Sequence, residues 1–130
     1  MQEDFHFSVV YMLSRCAGLP PVESRTVACA SQYTDECTFM GPIALTNGKP
    51  YRPVLTYPPG ALALDTKAQA AILRSFHFAG GEGRDAVVLA GNAAVARTAA
   101  KAAVLCASSA SYGLHALGIA LHCLADTFDN

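Results

Sequence analysis

The sequence has no C-x-x-C pair, no G-x-S-x-G nucleophile turn, no adjacent His-Asp dipeptide and no G-x-x-x-x-G-K-[ST] phosphate loop. These absences argue against a serine hydrolase, an HD-type phosphohydrolase and a P-loop enzyme. No charge of one sign dominates either: nine Lys and Arg face ten Asp and Glu, for a net charge of -1. Nothing here offers a basic field to nucleic acid or a polybasic run to a membrane. The opening MQEDFHF is acidic and lacks the basic and apolar regions of a secretory leader. A cytoplasmic protein is expected. The five cysteines, Cys16, Cys29, Cys37, Cys106 and Cys123, are odd in number. They are expected to be small buried hydrophobes of a reducing compartment rather than a disulfide framework.

From Ala102 to Ala125 there is no Asp, Glu, Lys or Arg, which is long enough for a membrane span. Yet SSAS interrupts the stretch, and two His, two Gly and two Cys lie within it. Two abutting buried helices explain it better than a span.

At 130 residues and 52% hydrophobic, the chain fits a single helical domain with a real core. The expected fold is mostly α, with four to five helices and an irregular hairpin-like insertion around 39–60. Phe5 to Ala17 spaces Val9, Val10, Met12, Leu13 and Cys16 on a helical stripe, and Gly18 stops it. Pro20 and Pro21 open a second helix running to about Cys37, with Val22, Thr26, Cys29, Ala30 and Tyr33 as its stripe. In the proline-rich insertion, Asn47-Gly48 is a turn around which Ile43–Leu45 and Val54–Thr56 could pair. A third helix starts near Asp65 and ends around His77; Asn92 caps a fourth, and a fifth follows Ser108–Ser111.

The candidate chemistry lies in the histidines. His122 and Asp126 are four residues apart on one helix face, the spacing that lets both grip one metal ion. His115 lies seven residues before His122, and Gly118 between them leaves room for close approach. Asp126, and Asp35 with Glu36 in QYTDE, sit near helix C-termini, where the helix dipole disfavours carboxylates. His6 in DFHF and His77 in SFHF lie between phenylalanines. Each alone reads more simply as a core histidine or a solvated helix end. All four histidines, however, lie in apolar settings, and a shared divalent cation would satisfy several buried groups at once. Imidazole nitrogen with carboxylate oxygen suits zinc first, then manganese or iron.

DFHF, ASQYTDE, FHF before glycines, and LGIALHCLADTF occur in that order. Together they resemble an uncharacterised family of bacterial proteins with the pattern D-F-H-[FY], A-x-Q-Y-V-D-[DE], P-F-H-F and L-G-x-A-L-H-x-x-A-D-T-[WF]-x-H-Q, over nearly the whole chain. More distantly the order is similar to the zinc-dependent phospholipase C and single-strand nuclease superfamily, which are all-α phosphodiesterases. That resemblance implies that Asp35, His77, His122 and Asp126 share one metal, that His6 helps hold a second, and that Asp126 bridges them. The family pattern has His where this chain has Asn130, so a C-terminally truncated domain is expected.

Two functions follow as expectations. The first is a metal-dependent hydrolase of the phosphoesterase type, acting on a small-molecule or lipid-like phosphoester, with Glu36 or His115 orienting water or the leaving group. The second is a non-catalytic metal-binding or structural helical domain, in which the ion staples helices together. A chain closing on an apolar helix is further expected to self-associate, most simply as a symmetric dimer.

Overall fold

The computed structural model describes residues 4–58, 66–81 and 93–128. The architecture is mostly α. A π-helical turn, Asp4–Val9, leads into α1 (Val10–Cys16). It is followed by α2 (Pro21–Glu36), β1 (Ile43–Ala44), β2 (Pro50–Tyr51), α3 (Thr66–Phe76), α4 (Ala93–Ala107) and α5 (Gly113–Asp126). The expected helix caps at Asp65 and Asn92 lie outside the described residues. No helix among the described residues is long and apolar enough to cross a membrane. The charge-free stretch is instead the last six residues of α4 and nearly all of α5, broken at Ser108–Tyr112.

The α1–α2 turn follows from Gly18, whose φ of 92° ends the first helix with bonds from Gly18 N–H to Arg15 O and from Leu19 N–H to Ser14 O. The chain then returns antiparallel as α2. The α4–α5 turn closes as tightly: a side chain at Gly113 would meet the Cys106 carbonyl oxygen. These two hairpins share a core of Val10, Val27, Ala28, Ala100, Ala103, Leu117 and Ala120. Most of these are small, and the reason is visible at Gly118. A Cβ there would lie 2.6 Å from Ala30 Cβ and 3.0 Å from the Ser31 nitrogen. At that separation α2 and α5 run in the same direction with their backbones nearly touching.

Two expectations about helix faces are corrected. The inward face of α2 is Ser24, Val27, Ala28, Ser31 and Thr34, because only small side chains fit against α5. Val22, Cys29 and Tyr33 of the stripe predicted for α2 point outward instead, with Val22 78% exposed. On α1 the inward residues are Val10 and Ser14, while Met12 and Cys16 face out. Leu13, 62% exposed, lines an open apolar groove of about 610 Å³ between α1, α4 and α5. As the charge-free stretch implied, α5 is buried, and it is the central helix: His122, Cys123, Ala125 and Asp126 are all buried. The cysteines divide accordingly, with Cys37 and Cys123 buried and Cys16, Cys29 and Cys106 exposed.

The hairpin forms at the expected turn but with a different return strand. Gly48 adopts φ 76°, and Leu45 N–H donates to Lys49 O at 3.2 Å, so Ile43 pairs with Tyr51 and Ala44 with Pro50. A turn this tight takes its partner from the residues immediately after it. Val54–Thr56 is thereby left out of the hairpin and runs onto the end of α2. There, Thr56 N–H reaches Cys37 O at 3.3 Å.

Candidate metal centre

Three helices end at the same place. Asp35 lies in the last turn of α2, Asp126 is the last residue of α5, and His77 immediately follows α3. His6, from the π-helical turn before α1, completes the group. Short π-helical stretches are common at functional positions. His6 and His122 are fully buried, and His77 and Asp126 nearly so. Asp35, with its side chain 19% exposed, is the corner open to solvent. Carboxyl-terminal helix ends carry partial negative charge, so two further carboxylates here create strong local demand for a cation.

The ring nitrogens and carboxylate oxygens converge. His122 Nε2 lies 3.0 Å from His77 Nδ1. Asp126 Oδ2 is 3.1 Å from His77 Nδ1 and 3.3 Å from His122 Nε2. Asp35 Oδ1 is 3.6 Å from both of those nitrogens. Metal–ligand distances of about 2.0–2.1 Å give a tetrahedron with edges of about 3.3 Å. The separations here scatter around that edge length. The second oxygen of each carboxylate points to His6 Nε2, at 3.5 Å from Asp35 Oδ2 and 3.4 Å from Asp126 Oδ1. The donors thus fall into two overlapping groups that share His122: His6, His122 and Asp126, and Asp35, His77 and His122.

Proton counting makes the same point. His77 Nε2 lies 2.7 Å from the Thr56 carbonyl oxygen, which can only accept. In the neutral ring the single proton is therefore on Nε2, and Nδ1 turns a lone pair toward Asp126 Oδ2. A lone pair facing a carboxylate at 3.1 Å is repulsive unless a proton or a cation lies between them. Both nitrogens of His6 and Nδ1 of His122 are buried without a hydrogen-bond partner among the described residues. Burial pushes the Asp126 carboxyl up, but the three imidazoles packed against it, His122, His6 and His77, outweigh that. The net effect holds the group well below the usual carboxylate range, so it is ionised at neutral pH.

Cys123 sits next to this cluster but supplies no thiolate to it. Burial, and then the negative charge of Asp126, push its thiol up to about 12. The S–H donates to the Phe76 carbonyl at 2.7 Å, tying α5 to the residue before His77. Alkylation of the native protein at pH 8, read by mass spectrometry, is expected to modify Cys16, Cys29 and Cys106 and to spare Cys37 and Cys123. Labelling of Cys123 at the rate of the exposed thiols would contradict this.

Of the sequence candidates, His6, Asp35, His77, His122 and Asp126 are brought together. Glu36 and His115 are not part of the cluster. Glu36 is exposed and accepts a bond from Gln32 Nε2 at 3.0 Å. His115 is exposed nearly two turns before His122, in a shallow groove with Arg25, Thr26 and Tyr33. Thr56 was not foreseen: it contributes a backbone carbonyl, which no side-chain pattern announces.

A family model matches residues 1–129. The chain belongs to the family of unknown function DUF6765. No curated protein and no solved structure matches it. For this DUF6765 member the comparisons give a family without an assigned activity, and the His/Asp cluster is what the fold adds.

Proposed function

We propose that the cluster of His6, Asp35, His77, His122 and Asp126 binds divalent metal, zinc first, and that the protein is a metal-dependent hydrolase of the phosphoesterase type. The observation that carries the metal reading is the set of edge-length separations among Asp35, His77, His122 and Asp126. Two imidazole nitrogens and two carboxylate oxygens form a donor set suited to zinc, and the two aspartates match its charge. The unpartnered nitrogens of buried His6 fit the same account.

When bound, such an ion supplies Lewis acidity and lowers the pKa of a coordinated water towards neutrality. The chain's own residues do the rest. Asp35 and Asp126 offer their outer oxygens towards His6, where a second ion would complete the group. The exposed edge of Asp35 is the side from which substrate reaches the centre. The packed helices behind His6 and His122 exclude water from the opposite side. The distant likeness to zinc-dependent phospholipases C and nucleases supports phosphoesters as the substrate class.

A second reading, in which the ion only staples the helices, is favoured by one feature: Asp35, His77, His122 and Asp126 offer four donors, the number that fills a structural zinc site. Metal content separates these from a metal-free fold. Protein purified without chelator or affinity tag is expected to carry about one or two equivalents of metal by plasma mass spectrometry. His122→Ala, which removes the residue common to both donor groups, is expected to carry almost none. Metal-free wild type that is fully folded would end the metal reading. Metal-loaded protein inactive on bis(p-nitrophenyl) phosphate would favour the staple.

A further inference from the structure

The three imidazoles of the cluster are not held alike. Nδ1 of His122 and Nδ1 of His6 are buried and make no hydrogen bond among the described residues. The outer nitrogen of His77, by contrast, donates to the Thr56 carbonyl at 2.7 Å. Thr56 is itself fixed at two points. Its hydroxyl donates to the Thr34 carbonyl at 2.8 Å, and its N–H donates to the Cys37 carbonyl at 3.3 Å. The next residue, Tyr57, stands edge-on to the His77 ring at 5.5 Å between centroids. Both carbonyls that Thr56 engages belong to the end of α2, within three residues of Asp35.

We propose that Thr56 is the positioning residue of the metal centre: its hydroxyl pins the irregular segment to the end of α2, and its carbonyl, so pinned, keeps the His77 proton on Nε2 and Nδ1 free for the ion. The proposal rests on the metal reading above for its effect on affinity, but its effect on the His77 ring stands without it. A ligand whose tautomer is set before the ion arrives binds without first rearranging, and outer partners of this kind are typically worth 10–100-fold in metal affinity. The link also makes the proline-rich insertion part of the site, because Thr56 couples the C-terminal ends of α2 and α3.

The test compares Thr56→Val, which keeps the shape and removes the donor, with Thr56→Ser, which keeps the donor. Zinc affinity is measured by competition with a chromophoric chelator, and the ring protons by NMR of metal-free protein labelled with nitrogen-15 histidine. Wild type is expected to show a slowly exchanging Nε2–H signal from His77. Thr56→Val is expected to lose that signal and to bind zinc roughly 10–100-fold more weakly. Thr56→Ser should restore both. Equal zinc affinity and an unchanged signal in Thr56→Val would overturn the proposal, as would a Thr56→Ser as weak as Thr56→Val. If wild type binds no zinc, the metal reading fails, while the ring signal still decides whether Thr56 sets His77.

Discussion

Gly118→Ala is expected to destabilise the fold by about 3 kcal/mol, at the upper end of the overpacking range, although it adds one methyl group. The added carbon would meet Ala30 Cβ at 2.6 Å and the Ser31 nitrogen at 3.0 Å, and would lie closer still to the Val27 carbonyl. Two of these three atoms are α2 backbone, so no side-chain rotation relieves the contact. The helices must move apart. Domains of this kind have total stabilities of about 5–15 kcal/mol, so the loss is large. It also reaches the site. Ser31 and Asp35 are one turn apart on α2, as are Gly118 and His122 on α5, so separating the helices pulls Asp35 away from His122. Urea unfolding of Gly118→Ala should show a clearly lower midpoint, and metal content should fall with it. A midpoint within experimental error of wild type would mean that α2 and α5 are not in backbone contact.

Removing the ion is expected to cost more than removing any one surface interaction. A metal present at about a thousand times its dissociation constant contributes about 4 kcal/mol to the folded state. For a chain of this size that corresponds to about 10–15 °C in melting temperature. Excess chelator should therefore lower the wild-type melting temperature by that amount. The same chelator should leave His122→Ala unchanged, because the variant has lost the residue common to both donor groups. The pH dependence has a definite sign. Protons compete with the ion for imidazoles and carboxylates, so metal-derived stability is present at neutral pH and lost on the acid side. The depressed Asp126 carboxyl contributes in the same direction, since a group held below its unfolded value loses its stabilisation as pH falls. Calorimetry with and without chelator, repeated at falling pH, should show the difference between the two curves shrinking. A chelator effect that grew on acidification would contradict the metal reading.

Much of the architecture can be read from residues alone. Gly18, Asn47-Gly48 and Ser108–Ser111 mark turns whose chemistry is local, and all three break the chain where expected. The direction each helix faces is less legible. Apolar residues at helical spacing point inward only if the neighbouring helix leaves room. On α2 the approach of Gly118 leaves none, so serines, alanine and threonine turn inward and Val22 outward. The site was legible for a related reason: a His or Asp in an apolar segment needs a partner, and the partners proved to be one another. His115 shares a helix face with His122 by angle, but it lies nearly two turns away along α5 and meets α2 where that helix is exposed. The Thr56 carbonyl had no signature to read, because any residue supplies one.

The cluster takes His6 from one end of the chain and Asp126 from the other, 120 positions apart (126 minus 6), with Asp35 and His77 between. Loop closure of that span is among the slowest events in a small protein's folding, because the entropy of bringing such distant segments together is lost before any contact compensates. The helices and both hairpins are local and can form early. The centre cannot, since no fragment shorter than nearly the whole chain contains all five donors. Uptake of the ion would then report completed folding rather than start it. In a refolding experiment, metal-dependent signals should appear last, after helical content has already returned.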